Sequence, residues 1–123
     1  MANPFCHIEL HTDDTGKSRS FYGELFDWKL EDMPMGEGMS YTMVDVGEEG
    51  TGGGMMAKPC EDAPTAWMPY VLVEDCKASA EKATSLGANI VKEETVIPNM
   101  GSFVIIADPS GAILGLWQPA NAS

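Results

Sequence analysis

The stretch that decides the fold is Phe5–Thr12, FCHIELHT, close to the start of the chain. Apolar and polar side chains alternate along it, and this period of two predicts a half-buried β-strand. His7 and Glu9 are two residues apart, so their side chains leave the strand on the same face. We expect that face to be turned toward a ligand and the other face toward the core.

A helix and three further strands are predicted after this first strand. Asp13 and Asp14 can cap a helix, and the apolar spacing from Thr15 to Phe26 is helical. Glycine- and proline-containing turns then separate three extended segments. These predicted strands are Trp28–Glu31, Ser40–Val46 and Gly52–Lys58.

The same order of elements recurs after a linker at residues 59–66, PCEDAPTA. The predicted elements are a strand at Trp67–Val73, a helix at Lys77–Leu86, and strands at Asn89–Ile97, Ser102–Ala107 and Ala112–Gln118. Superposing the repeats places His7 on Pro69, about 62 residues further along. We therefore expect an α+β fold in one domain, residues 1–123, with two βαβββ modules at about 1–58 and about 67–119. Their mixed sheets would curve around a cleft.

The charge of the chain excludes some partners. Nineteen acidic and seven basic residues give a formal net charge of −12. Phosphate backbones require clustered lysine and arginine, and the sequence has no such cluster, so we expect no nucleic-acid partner. An anionic membrane surface would repel the chain for the same reason. The acidity either maintains solubility or attracts a cationic ligand.

The cysteines and the terminus point to a cytoplasmic protein. Cys6, Cys60 and Cys76 are odd in number and form no CxxC pair, which argues against a disulfide framework and a zinc–thiolate site. The first residues, MANPFCHIEL, have neither a basic segment nor a long apolar segment, so no signal peptide is predicted. No apolar run approaches the length of a membrane span.

Two motifs at opposite ends of the chain resemble the vicinal oxygen chelate superfamily, which includes glyoxalases, bleomycin-resistance proteins and extradiol dioxygenases. They are His7-x-x-Leu10 with Ser18-x-x-Phe21-Tyr22 and Leu25, and Asp108-Pro109-x-Gly111 before the last strand. The resemblance covers nearly the whole chain and implies a fold of two βαβββ modules around a small-molecule site. It implies no particular reaction, because unrelated chemistries share this scaffold.

The resemblance also implies where a metal would be bound. Metal-dependent members place His or Gln on the first strand of each half and Glu on the last strand of each half. His7 matches the first position, but Pro69 and Gly115 offer no donor side chain, and Gly52–Lys58 contains no acidic, His or Gln residue. We therefore predict no metal or other cofactor, although His7 and Glu9 with water could hold a divalent ion.

The candidate site residues follow from these strands. His7 and Glu9 are the best candidates for acid–base catalysis, or for orienting a bound molecule through hydrogen bonds. The predicted ligand-binding residues are His7, Glu9, Met55, Trp67, Gly115 and Trp117. In this set, Met55 supplies an adaptable apolar surface, the tryptophans supply aromatic surfaces, and Gly115 leaves space.

Three functions remain compatible with this sequence. The first is a glyoxalase- or bleomycin-resistance-like protein that binds a small molecule, cationic in keeping with the acidity, with an incomplete set of metal ligands. The second is a metal-dependent lyase or dioxygenase of the same superfamily. The third is a non-catalytic interaction protein. A small chain with open sheet edges is also expected to form a homodimer, with modules paired within one chain or exchanged between chains.

Overall fold

The computed structural model describes residues 2–34, 40–58 and 62–120, without the side chains of Pro34 and Ser40. Eight strands and two helices occur in these ranges. Their order is β1 (Phe5–Thr12), α1 (Thr15–Leu25), β2 (Lys29–Pro34), β3 (Ser40–Asp45), β4 (Gly53–Ala57), β5 (Ala66–Leu72), α2 (Cys76–Ser85), β6 (Asn89–Ile97), β7 (Gly101–Ala107) and β8 (Ile113–Pro119). Each predicted element is present, with ends that differ by a few residues, so the α+β class and the two βαβββ modules are confirmed.

The chain divides into two compact units. The first unit is His7–Met68, and the second unit is Met1–Cys6 together with Pro69–Ser123. The first unit has the strand order β2-β3-β4-β1, and the second has the order β5-β8-β7-β6. In both sheets the first strand of the repeat pairs in parallel with the last, and the remaining pairs are antiparallel.

Both helices begin at an aspartate. The Asp14 side chain accepts a hydrogen bond from the Lys17 backbone N–H, and the Asp75 side chain accepts one from the Ala78 N–H. Each carboxylate thus satisfies one of the backbone donors that a helix leaves unpaired in its first turn. Helix α2 is followed by Gly87 with a φ of 106°, a left-handed conformation that glycine adopts without strain.

A turn at Asp108–Gly111 connects β7 to β8, as its sequence predicts. The Gly111 N–H donates to the Asp108 carbonyl at 2.8 Å, and Gly111 has a φ of 98°. The Asp108 carboxylate accepts hydrogen bonds from Ser110 and from the Ala112 N–H. These bonds to the ionised form lower the pKa of Asp108.

Each unit has its own core between its sheet and its helix. In the first unit the buried residues are Leu10, Val44 and Met55, with Tyr22, Trp28, Leu30, Val46 and Trp67 packed against them. In the second unit the buried residues are Val73, Cys76, Ala80, Val104, Ile106 and Leu116. Since strand side chains alternate, the opposite face of each sheet is the one left for other functions.

The structure corrects the alignment of the repeats by one residue. The two N-cap residues, Asp14 and Asp75, are 61 positions apart, and so are the first residues of α1 and α2. His7 therefore corresponds to Met68 and not to Pro69. A shift of one residue exchanges the two faces of a strand, so the predicted orientation of β5 is reversed. Val73 lies in the helix-side core, and Tyr70 lies on the other face.

Two predicted segments lie at least partly outside the described residues. The predicted turn after β2 falls within residues 35–39, and the start of the predicted linker, including Cys60, falls within residues 59–61. In the described part of the chain, no helix has the length and apolar character needed to cross a membrane.

Candidate functional site

A buried carboxylate lies on β1, the last strand in the order of the first unit's sheet. Glu9 is only 8% exposed, although it is on the face of β1 opposite the helix-side residue Leu10. His7 and His11 leave the strand on the same side as Glu9, two residues before and after it. Burying a carboxylate requires hydrogen bonds that replace its hydration, and its neighbours provide them.

The Tyr41 hydroxyl lies within hydrogen-bond distance of both His7 and Glu9, the two residues predicted from the sequence. Its hydroxyl donates to Glu9 Oε2 at 2.7 Å and lies 2.7 Å from His7 Nε2. His7 Nε2 is itself 4.0 Å from Glu9 Oε2, too far for a direct hydrogen bond. The predicted His7–Glu9 pair is thus brought together, but a phenol bridges it. The rings of Tyr41 and His7 are nearly parallel, with centroids 6.2 Å apart.

The second carboxylate oxygen contacts the other histidine. His11 Nε2 lies 2.7 Å from Glu9 Oε1, and the His11 side chain is largely buried. An ionised carboxylate only accepts hydrogen bonds, so His11 donates here. Sequence analysis had not assigned His11 to the site. The resulting chain of polar groups is His7, Tyr41, Glu9 and His11, and we call it the β1 network.

The local environment favours a neutral His7. Burial lowers the pKa of this imidazole, because removal from water disfavours the charged form, and the nearby charge of Glu9 opposes that effect only in part. A neutral imidazole has one donor nitrogen and one acceptor nitrogen. The β1 network therefore combines a carboxylate, a phenol and two imidazoles, which is a composition suited to acid–base chemistry or to orienting a polar ligand.

Gly54 makes the position of Tyr41 possible. Gly54 pairs with Glu9 on one side and with Met43 on the other. A Cβ built on Gly54 would overlap the Tyr41 ring at Cε1, Cζ and the hydroxyl oxygen. The ring can lie across β4 only because this residue has no side chain.

Met55 and Trp67 are not on the network face. Met55 is completely buried with Leu10 and Val44, and Trp67 packs against the same core. The Trp67 indole N–H also donates to the Tyr22 hydroxyl at 3.2 Å. Both residues had been predicted to contact a ligand, and the structure places them on the helix side instead. Trp67 lies on the helix side because the two faces of β5 are exchanged relative to the prediction. Met55 lies on the helix side because β4 pairs it with Leu10, and the adjacent Met56 is therefore on the same side as Glu9.

Gly115 and Trp117 lie in the second unit, on the face away from α2. Trp117 is partly buried and pairs with Phe103 and Leu72. A Cβ on Gly115 would overlap the ring of Tyr70, which is only 4% exposed. The space that Gly115 was predicted to leave for a ligand is thus filled by Tyr70. This face is mainly apolar, with a perpendicular contact between Tyr70 and Phe103.

The donor set does not fit the superfamily's metal site. With the corrected alignment, His7 corresponds to Met68, and the equivalent positions of the two closing strands are Gly54 and Gly115. Three of the four positions have no nitrogen or oxygen donor on the side chain. Among the described residues there is also no group of three His, Cys, Asp or Glu side chains arranged to hold a metal ion.

Two surface depressions are lined entirely by residues of the second unit. One, of about 310 Å³, is bordered by Asn3 and the start of α2. The other, of about 330 Å³, lies between α2 and β6 and is bordered by Glu81, Glu93 and Glu94 among others. Neither includes a residue of the network, so their volumes do not define the candidate site.

Sequence reasoning missed Tyr41 and His11. One signal could have identified Tyr41: the strand that follows it in the sequence contains the glycine run Gly52–Gly54, which leaves room for a large side chain from a neighbouring strand. His11 follows the same alternation as His7 and Glu9, so the pattern already places it on the same face of β1 and could have included it in the site.

Comparison with known proteins supports this assignment of the fold. Residues 5–47 match the family described as bleomycin resistance protein-like N-terminal. Over 112 residues the chain is 32% identical to "Putative glyoxylase CFP32" of Mycobacterium bovis and of Mycobacterium tuberculosis. The alignment covers 91% of this chain and 42% of the relative, so the chain spans less than half the length of the curated relatives it matches.

Solved structures with the same fold have low sequence identity. A Bacillus halodurans protein described as hypothetical has a TM-score of 0.72 at 14% identity, covering 100% of this chain and 99% of that one. Methylmalonyl-CoA epimerase from Mycobacterium tuberculosis has a TM-score of 0.69 at 17% identity, covering 95% and 88%. The Streptomyces coelicolor epimerase bound to 2-nitronate-propionyl-CoA has a TM-score of 0.69 at 13% identity, covering 98% and 100%. Together with the sequence matches, these likenesses bear out the fold and the resemblance to the vicinal oxygen chelate superfamily that the sequence motifs indicate.

Proposed function

We propose that the chain is a glyoxalase- or bleomycin-resistance-like protein that binds a small polar molecule at the β1 network. The single observation that carries this proposal is the buried Glu9 carboxylate, held by Tyr41 and His11 on the sheet face away from α1. Burying a charged group opposes folding, so a carboxylate kept at this depth is more readily explained by binding than by stability.

The chemistry of the network favours a ligand that donates hydrogen bonds. Glu9 contributes a negative charge, and a neutral His7 contributes no positive charge to oppose it. The net charge of −12 over the whole chain adds an attractive field for cations. A cationic or donor-rich small molecule is therefore the proposed ligand class, with His7 and Glu9 as the contacts.

Thermal denaturation with a defined ligand panel tests this function. The panel contains bleomycin as a cationic glycopeptide and methylmalonyl-CoA as an anionic thioester, two chemistries suggested by the relatives. A ligand at one hundred times its dissociation constant stabilises a folded protein by about 2.7 kcal/mol. We expect the cationic compound to raise the melting temperature, and Glu9→Gln to abolish that increase.

A matched variant separates binding at the network from general electrostatics. Glu48→Gln removes one carboxylate from an exposed turn, so it should retain the full stabilisation. Equal losses in Glu9→Gln and Glu48→Gln would mean that the ligand senses only net charge. No stabilisation of the wild-type protein by either compound would count against the proposed ligand class.

The alternative of a metal-dependent lyase or dioxygenase makes a different prediction. It requires a stoichiometric divalent ion, although three of the four expected ligand positions lack donors. Elemental analysis of the purified protein distinguishes the two: a stoichiometric metal that is lost in His7→Ala would favour the alternative. The third possibility, a non-catalytic interaction protein, predicts a bound macromolecule and no small-molecule stabilisation.

We further propose that the protein acts in the cytoplasm as a homodimer. Two free thiols among the described residues, Cys6 and Cys76, support a reducing compartment. Dimerisation rests on the exposed edge strands β2 and β6. Sedimentation equilibrium measures the mass directly, and a monomer at micromolar concentration would contradict the dimer.

A further inference from the structure

We propose that Tyr41, placed across Gly54, is the positioning residue that sets the protons of the β1 network. This inference rests on the proposed function, since it describes how the same site is prepared for its ligand. It adds two residues, Tyr41 and Gly54, to the two that the sequence nominated. Neither is required to contact the ligand, because both act through Glu9 and His7.

The position of Tyr41 is determined by the strand between it and Glu9. Tyr41 is on β3 and Glu9 is on β1, and β4 separates these strands. A side chain on β4 at position 54 would block the path, as the overlap of a Cβ with the Tyr41 ring shows. With glycine there, the phenol reaches over β4 and its oxygen lies 2.7 Å from both Glu9 Oε2 and His7 Nε2.

The hydroxyl proton of Tyr41 determines which nitrogen of His7 carries a proton. Tyr41 donates its proton to Glu9 Oε2, so its oxygen is left as an acceptor toward His7. His7 must therefore carry a proton on Nε2, and in the neutral imidazole the acceptor lone pair is on Nδ1. His11 donates from Nε2 to Glu9 Oε1, so it is also protonated on Nε2. The network is a directed chain in which both histidines donate toward one carboxylate.

This order determines the chemistry of the site. The Glu9 carboxylate accepts hydrogen bonds from Tyr41 and His11, and the acceptor atom of neutral His7 is Nδ1. Both groups are acceptors, so the site is suited to ligands that bring a hydrogen-bond donor or a cationic group. An anion would meet like charge at Glu9. The same arrangement offers a proton route: when His7 takes a proton at Nδ1, it releases the one on Nε2 to the Tyr41 oxygen, and Tyr41 passes its own hydroxyl proton to Glu9 Oε2.

Nitrogen NMR of the histidine side chains tests the proposal without any ligand. The chain has only two histidines, so long-range ¹H–¹⁵N correlations give one pattern for each ring. For wild-type protein at pH 7.5, we expect both rings to carry a proton on Nε2, and His7 to have none on Nδ1. In Tyr41→Phe, His7 should become a mixture of the two tautomers, and His11 should remain protonated on Nε2.

Two further variants make the test decisive. Tyr22→Phe removes a phenol hydroxyl from the same unit, but on the helix side, so it should leave both patterns as in wild type. Gly54→Ala should resemble Tyr41→Phe, because the added Cβ displaces the ring. If Gly54→Ala does not fold, Tyr41→Phe alone decides the outcome.

The proposal is overturned if wild-type His7 is protonated on Nδ1, or if Tyr41→Phe leaves its tautomer unchanged. Either result is independent of the ligand experiments, since the spectra are recorded on the free protein. Absence of ligand binding with the expected tautomers would reject only the proposed function. Binding with an unchanged tautomer in Tyr41→Phe would reject only the role of Tyr41.

Discussion

Glu9 and Tyr70 occupy the same position in the two repeats. Each lies on the first strand of its repeat, opposite a glycine of the last strand: Gly54 faces Glu9, and Gly115 faces Tyr70. In the second unit the aromatic ring at this position covers its own glycine. In the first unit the position holds a carboxylate, and the phenol that covers the glycine comes from β3. The difference between Glu9 and Tyr70 at this position thus accompanies a polar network on one sheet and an apolar surface on the other.

Two adjacent glycines should respond differently to the same substitution. A Cβ on Gly53 would overlap the backbone of Ile8, which cannot move without breaking the β1–β4 pairing. At Gly54 the obstacle is the Tyr41 side chain, which can rotate away. Overpacking usually costs about 1–3 kcal/mol. We expect Gly53→Ala to reach or exceed the upper end of that range and Gly54→Ala to stay near the lower end, as measured by urea unfolding. Equal costs would contradict the assigned contacts.

The stability of the protein should decrease in mild acid because of His7. Its pKa is lowered by burial from an ordinary value of 6.5, so below that pH the unfolded chain binds a proton that the folded chain resists. The free energy of unfolding therefore falls as the pH drops through 6.5 toward the folded pKa. In His7→Gln, which keeps a donor amide near Tyr41, this contribution should disappear. Urea unfolding of both proteins between pH 7.5 and 5.5 measures it, and identical slopes would refute the assignment.

The buried position of Met55 can be compared with that of its neighbour Met56. Met55 is fully buried, whereas Met56 is only partly buried on the opposite face. Truncating a buried methionine to alanine costs about 2–5 kcal/mol. We expect Met55→Ala to show a loss in this range by urea unfolding, and Met56→Ala a clearly smaller one. A larger loss in Met56→Ala would reverse the assignment of the two faces.

Cys76 should be unreactive in the folded protein. Burial, followed by the nearby Glu94 carboxylate, raises the pKa of its thiol to about 11, and the side chain is fully buried. At pH 8 only about one molecule in a thousand would carry the reactive thiolate. We expect iodoacetamide to label the partly exposed Cys6 well before Cys76, as located by peptide mass spectrometry. In denaturant the difference should vanish, and early labelling of Cys76 in the native protein would contradict its burial.

The order of elements could be predicted from the sequence because its signals are local. Alternation identified β1, Asp14 and Asp75 marked the helix starts, and the Asp108 turn had the expected residues. The register between repeats could not be predicted in the same way. Offsets of 61 and 62 residues fit the pattern of elements almost equally well, yet only the former gives β5 the correct faces. That single residue explains why Trp67 was assigned to the ligand surface.

The network was only half predictable for a related reason. His7 and Glu9 are two residues apart on one strand, so alternation alone places them together. Tyr41 is 32 residues from Glu9, and its contact depends on which strands pair and on the glycine between them. Such a contact is a property of strand order and register, and neither follows from the pattern within a single strand.

The division of β1 and β5 between the two units has a consequence for attempts to halve the molecule. Residues 2–6 belong with the second unit, where the Leu72 N–H donates to the Pro4 carbonyl at 2.9 Å, whereas Trp67 belongs to the core of the first. Cleavage between residues 58 and 66 would therefore produce two half-proteins that each carry a piece of the other's architecture. Neither fragment would be complete when produced alone, and recovery of both would depend on reassociation of the pair.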